Sequence, residues 1–244
     1  MTKRFDFGRM LRAAAIAVLV PVAGLGFWNM TANAEGILPV SAPPPAMEAP
    51  STAATETAVF AGGCFWGVQG VFQHVKGVKS AISGYSGGTL ANPTYEDVLT
   101  ETTGHAEAVI VEFDPKVVSY GTLLQIFFSV ITDPTTLNRQ GNDVGESYRS
   151  ALFYKSDAQK ATAEAYIAQL DKAGIYPSKI VTEVTAYTNF YEAEDYHQDN
   201  AYTMNVNPGY LAYFDIPKIE NMEKMFGDYW VEQPALVFES NKKA

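Results

Sequence analysis

Cysteine and histidine are scarce in this chain. Among 244 residues there is one cysteine, Cys64, and three histidines, His74, His105 and His197. One thiol cannot close a disulfide or build a structural zinc site, and the histidines stand in no metal-ligand spacing, so neither a bound metal nor another bound cofactor is expected. No phosphate loop, dinucleotide fingerprint or G-x-S-x-G elbow occurs. Positive charge is also short, with 17 Lys and Arg against 27 Asp and Glu and a formal net charge of −10. Such a field does not draw the chain to nucleic acid or anionic lipid. The longest apolar run, Ala13 to Phe27, is too short for a strong membrane anchor. There is no internal repeat.

That run has a context. Lys3, Arg4, Arg9 and Arg12 precede it and "ANA" (32–34) follows, the pattern of a secretory leader. Cleavage after Ala34 and export to the periplasm are expected, with an uncleaved anchor as the alternative. Residues 35–57, rich in Pro, Ala, Ser and Thr, lack apolar periodicity and read as a flexible tether. The remainder, 58–244, is long enough for one domain with a sizeable core.

"TAVFA" (57–61) reads as a short buried strand, and Gly62-Gly63 as a turn. Phe65, Val68, Val71, Phe72 and Val75 then recur at helical spacing. A strand followed by a glycine turn is expected over 78–88, further strands at 105–114, 148–154 and 179–184, and helices from Ser119 to Ile131 and from Ser156 to Gly174. Ser156 and Gln159 look like a capping box. The order strand–helix–strand–strand–helix–strand–helix–strand predicts an α+β fold, a mixed sheet with packed helices. Residues 185–230 are rich in Tyr and Phe but poorly periodic, and are expected to wrap the core as loops and short helices.

Cys64 falls between the first strand and the first helix. Unpaired N–H groups at a helix start favour a thiolate, the nucleophilic form. A small buried core residue is the other fate this position allows. Glu107 shares its strand face with Val109, Val111 and Phe113, where desolvation would raise its pKa and suit it to general acid work; an exposed strand end would leave it merely solvated. Tyr95 in "NPTYEDV", and Asp143 and Tyr148 in "NRQGNDVGESYRS", sit in polar, glycine-bearing connections. His197 in "AEDYHQ" is a candidate base or a structural hydrogen-bonder.

Taken in order, "GCFWG", "GYSGG", "NPTYEDV", "TGHAEAV", "DPT", "NRQGNDVG", "YRSA" and "FYEAEDYHQ" resemble the peptide methionine sulfoxide reductases of the A type, over about residues 58–210. The resemblance implies a two-layer α/β sandwich on a mixed sheet, with a ferredoxin-like core and a long C-terminal wrap. It implies reduction of methionine S-sulfoxide, free or in proteins, by a monomer. Cys64 would be the nucleophile, Phe65 and Trp66 the wall for the substrate methyl, and Glu107 the acid. Tyr95 and Tyr148 would be the hydroxyl donors to the sulfoxide oxygen, and Asp143 an ordering residue. Two departures stand out. Leu211 occupies a place where many relatives carry a recycling cysteine, so an external thioredoxin-like, glutaredoxin-like or small thiol is expected as reductant. Thr132 precedes "DPT", where relatives usually have His. A binding module that has lost turnover is the alternative from another class, and a Cys-dependent hydrolase a more distant one.

Overall fold

The computed structural model describes residues 39–48 and 51–240, without the side chains of 239 and 240. The leader and its cleavage position lie outside them. The described strands and helices are, in order, β1 (Glu56–Gly62), α1 (Phe65–Gln73), β2 (Val78–Ser86), α2 (Tyr95–Val98), β3 (Ala106–Phe113), α3 (Tyr120–Ile126), β4 (Arg139–Gln140), β5 (Asp143–Val144), β6 (Ser150–Tyr154), α4 (Asp157–Ala173), β7 (Glu183–Ala186), β8 (Phe190–Glu192), α5 (Asn200–Thr203), α6 (Pro208–Tyr210), α7 (Ile216–Met225) and α8 (Val237–Ser240). No described helix is long and apolar enough to cross a membrane.

Six strands form one sheet in the order β7-β6-β1-β3-β2-β8. All neighbours are antiparallel except β6 and β7. The four inner strands, with α1 and α3 as crossovers, make the split β-α-β arrangement of a ferredoxin-like core, and α4 connects β6 to the parallel edge strand β7. The expected mixed-sheet α+β fold is the one found. The sheet is two-faced because side chains alternate along each strand. Phe60, Val109, Val111, Phe113 and Leu152 join Phe65, Val68, Phe72, Leu123, Leu124 and Phe127 in the main core. The opposite face carries a smaller, alanine-rich cluster of Val59, Ala61, Ala106, Ala108, Ala151 and Phe153.

Helix ends follow local chemistry. Ser156 Oγ accepts from Gln159 N at 3.2 Å, while the Gln159 side chain reaches Lys155 N rather than the cap residue, so the box closes one residue early. Gly174 ends α4 in the left-handed conformation, φ 63°. The helix from Ser119 continues through a π turn at Phe127–Ile131.

Three expectations change. The strand at 179–184 shifts to Glu183–Ala186, because Ile180 N donates to Asp171 and Val181 N to the Pro134 carbonyl instead of to a strand. The C-terminal wrap contributes an edge strand, β8, and a ten-residue helix, α7. The tether is not free throughout, since residues 39–48 are docked. Val40 N donates to Ser129 O (2.8 Å), Tyr166 Oη to Pro43 O (2.7 Å) and Gln169 Nε2 to Pro44 O (2.9 Å). The Glu48 carboxylate accepts from Ser119 Oγ (2.7 Å) and Gly121 N (3.2 Å) at the start of α3. Apolar periodicity cannot reveal such a segment, because it binds mainly through backbone N–H and carbonyl groups and one carboxylate.

Candidate active site

Cys64 sits where β1 gives way to α1, as the N-cap residue of the helix. Gly63 makes the approach possible. Its φ is +92°, and a Cβ there would lie 2.7 Å from Gln140 Cβ and Cγ. Gln140 is itself fixed, accepting from Asp133 N and donating to Asp133 O, both at 2.9 Å. Only 7% of Cys64 is exposed, so the thiol opens on solvent through a narrow aperture. A shallow cleft there is lined by Cys64, Gln140, Asp143, Tyr210, Phe214 and Lys218.

β3 runs antiparallel to β1 with Phe60 opposite Val109, so the start of β3 lies beside the end of β1. This register delivers Glu107 beneath the helix start, with 2% of its surface exposed. Its Oε2 accepts from Phe65 N at 2.9 Å. Burial pushes its carboxyl up to about 8, against the hydrogen bond from Phe65, with help from Asp143, Asp215 and Glu101. Glu107 is thus largely a neutral acid at pH 7.

The thiol behaves contrary to the expectation from helix geometry. Burial pushes Cys64 well above its ordinary value, with Asp215 and Glu107 adding to the rise, and the Trp66 N–H and Lys218 only partly offset it. The helix start acts over one turn, and here desolvation and two carboxyls outweigh it.

Tyr95 opens α2. Thr94 Oγ1 accepts from Asp97 N, and Asp97 Oδ2 from Thr94 N, a complete capping box that orients the tyrosine. Tyr95 N also donates to Glu194 Oε1 at 2.8 Å. Tyr148 ends a 3₁₀ turn (Glu146–Tyr148) that Glu101 pins through Ser147 N and Oγ, at 2.8 and 2.7 Å. The two tyrosines lie close enough for each phenol to act on the other. Burial raises both, with the Glu107 charge next, so both remain protonated donors. The Asp143 carboxylate accepts from Tyr210 Oη, and the Tyr210 ring meets Trp66 edge-on at 6.0 Å.

Phe65 and Trp66 are both buried beside the thiol. The Trp66 indole N–H donates to His197 Nδ1 at 3.1 Å, and the Tyr95 ring lies 4.4 Å from the His197 ring. Burial lowers His197 to about 4, so it is neutral and orients Trp66. Of its two expected roles, the structure supports the structural one. Thr132 is buried with its hydroxyl unpartnered among the described residues.

The structure therefore gathers Glu107, Tyr95, Tyr148, Asp143, Phe65 and Trp66 near Cys64, and of these Asp143 joins Cys64 in lining the cleft. It adds four residues from the C-terminal wrap that sequence reasoning did not single out. Glu194 bridges Tyr85 Oη (2.9 Å) and Tyr95 N. Tyr210 anchors Asp143. Asp215 is buried close enough for its charge to raise Cys64, and it pairs with Lys218 at 3.2 Å. A buried charge pair is visible in sequence only as polar residues three apart, a spacing found on any exposed helix. Among the described residues, no group of three or more His, Cys, Asp or Glu could hold a metal.

Comparison with known proteins gives a consistent picture. Residues 56–229 match the family model described as peptide methionine sulfoxide reductase. The chain is 51% identical over 195 residues to peptide methionine sulfoxide reductase MsrA 2 of Mesorhizobium japonicum, covering 80% of this chain and 100% of that one. It is 57% identical over 143 residues to MsrA of Methanosarcina acetivorans, covering 59% and 76%. Among solved structures it is similar to reduced Mxr1 from Saccharomyces cerevisiae, with a TM-score of 0.57, 30% identity, and coverage of 67% of this chain and 91% of that one. It is also similar to methionine sulfoxide reductase A of Corynebacterium diphtheriae, with a TM-score of 0.55, 32% identity, and coverage of 71% and 87%.

Proposed function

The chain belongs to the peptide methionine sulfoxide reductase family, and on that premise we propose how its buried cleft carries out the thiol-dependent reduction of methionine sulfoxide to methionine. The observation that carries the reading is a neutral carboxylic acid, Glu107, held under the same helix start as the one thiol.

The sulfoxide enters with its methyl group against Phe65 and Trp66. Its oxygen lies toward Glu107 and the Tyr95 and Tyr148 hydroxyls. Cys64 Sγ attacks the sulfur as a thiolate while Glu107 gives its proton to the oxygen, and the two phenols donate hydrogen bonds to that oxygen as charge develops on it. Asp143 keeps Tyr210 against Trp66 and so maintains the wall. Methionine leaves, the oxygen remains on Cys64 as a sulfenic acid, and the thiol proton makes good the one Glu107 gave. One thiol and one sulfoxide thus become one sulfenic acid and one thioether.

Recycling needs sulfur from outside, because Cys64 is the only cysteine and Leu211, where a recycling thiol often stands, is fully buried. An external thiol displaces water from the sulfenic acid to give a mixed disulfide, and a second thiol releases Cys64. A thioredoxin-like or glutaredoxin-like dithiol, or a small thiol, fits that demand. The S epimer is the substrate, free or in proteins. The basic-then-apolar start and "ANA" support a cleaved leader and a repair role on exported proteins, performed by a monomer.

Incubation with each sulfoxide epimer plus dithiothreitol tests this. Methionine should form from the S epimer in many turnovers. No methionine from either epimer would leave a binding module in place of an enzyme.

A further inference from the structure

Glu101 has no part in the steps above, yet its backbone is unusual. It closes the turn that follows α2, where Thr100 N donates to Asp97 O (3.1 Å) and Glu101 N to Val98 O (3.0 Å). Its φ is +58°, in the left-handed region that glycine and asparagine accept and other residues enter at a cost. Main-chain groups alone close this turn, so nothing local calls for a carboxylate. A residue held in such a conformation points to a task for its side chain.

That task lies 46 positions further on. The partly buried Glu101 side chain crosses to the 3₁₀ turn Glu146–Tyr148. Its Oε2 accepts from Ser147 N at 2.8 Å and its Oε1 from Ser147 Oγ at 2.7 Å. Ser147 is 1% exposed, so these charge-assisted bonds have little competition from water. The same carboxyl packs on Gly145, where an added Cβ would run into it. Gly145 O in turn accepts from Tyr148 N at 3.1 Å. The carboxylate therefore grips the residue just before Tyr148 and the residue whose carbonyl holds the Tyr148 N–H. Tyr95 has supports of its own, Glu194 at its N–H and the Thr94–Asp97 box at its helix start.

We propose that Glu101 is a positioning residue for the reaction: clamped onto Ser147 and Gly145, it holds the 3₁₀ turn so that the Tyr148 hydroxyl meets the sulfoxide oxygen. This rests on the reductase reading of the cleft, in which Tyr148 donates to that oxygen. A donor that stabilises developing charge works from a fixed place, and a small misplacement is costly. Glu101 touches no reacting atom in this scheme, so its loss acts through Tyr148. Phe65 and Trp66, which receive the methyl group, do not depend on it. The effect therefore belongs in kcat rather than in KM.

Single-turnover reduction of the S-sulfoxide, with kcat and KM measured beside it under dithiothreitol, tests this in a mutant cycle. Glu101→Gly relaxes the backbone and removes the clamp. Glu101→Asn also suits a left-handed backbone but is one carbon too short to reach Ser147, so either variant carries the test if the other fails to fold. Each should lower the rate constant about fivefold with KM within about twofold of wild type; the loss in Tyr148→Phe is the ceiling. Glu101→Gln keeps an oxygen for Ser147 N and should recover most of the rate. In a Tyr148→Phe background the Gly and Asn changes should cost no more than about 1.5-fold further. Wild-type rates in the Gly and Asn variants would overturn the proposal. So would a loss that persists undiminished beside Tyr148→Phe, the mark of a site merely loosened. Either result leaves the reductase reading standing, whereas wild-type enzyme that forms no methionine would overturn that reading and this proposal with it.

Discussion

Replacing Glu107 with Gln should weaken catalysis and strengthen the fold. The carboxyl is pushed from its ordinary 4.5 to about 8, chiefly by burial. At pH 7 about nine-tenths of it is then protonated, against roughly one molecule in 300 for an unshifted glutamate. Gln keeps the shape and can still accept from Phe65 N, but it cannot release a proton to the sulfoxide oxygen. Single-turnover reduction should fall about 10²–10⁴-fold, the usual share of general acid catalysis. The wild-type rate should itself decline as pH rises through about 8, where the acid is lost, and the Gln variant should lack that limb. The stability sign follows from the same shift. A carboxyl raised on folding contributes stability that is fully present below its unfolded value and is lost as pH climbs toward the folded one. Between pH 5 and pH 8 the unfolded chain ionises Glu107 while the folded one keeps it largely protonated, which withdraws about 3.5 kcal/mol from the wild type. Gln has no such loss. Urea titrations should therefore show the variant gaining on wild type by about that amount over this range. Undiminished reduction at pH 7, or a stability gap that does not widen with pH, would refute the reasoning.

Other outcomes are accessible to routine measurement. Tyr95→Phe and Tyr148→Phe should each lower kcat by about tenfold, with the double variant losing less than the product, because the two neighbouring hydroxyls donate to one oxygen. Kinetics on the three variants checks this. Gly63→Ala should destabilise by at least 1–2 kcal/mol, the approximate strain of a left-handed alanine, and further displace Gln140; denaturant melts report it. Tyr166→Phe combined with Gln169→Ala removes hydrogen bonds to residues 43, 44 and 46. At about 1 kcal/mol each the fold should lose roughly 2–3 kcal/mol, while sulfoxide reduction by the folded fraction should be unchanged.

Much of this was readable from the chain. The break from period-two to helical spacing after "TAVFA" placed Cys64 at a strand–helix junction, and the alternation in 105–113 put Glu107 on the apolar face. Both conclusions depend on near neighbours, and local sequence carries them. What escaped depends on distance. The shift at Cys64 was misjudged because the helix start is local, whereas the Asp215 that opposes it lies 151 positions away and reaches the thiol only through the packing of α7 on α1. His197 looked like a base until burial and the Trp66 indole gave it another task. β7 has an exposed, polar pattern because it lies at the sheet edge, so alternation could not locate it. Residues 39–48 dock through main-chain groups, which every sequence has alike.

The most direct test of a single-thiol reductase is methionine released per enzyme without any added thiol. Fully reduced protein, freed of reductant and mixed with excess S-sulfoxide, should release about one methionine per chain and stop. Cys64 should then carry a sulfenic acid that a dimedone-type reagent traps, visible by mass. Dithiothreitol should restart turnover, and Cys64→Ser should release none. Continued methionine release with no thiol present, or a first turnover in the serine variant, would contradict the assignment of Cys64 as the sole redox sulfur.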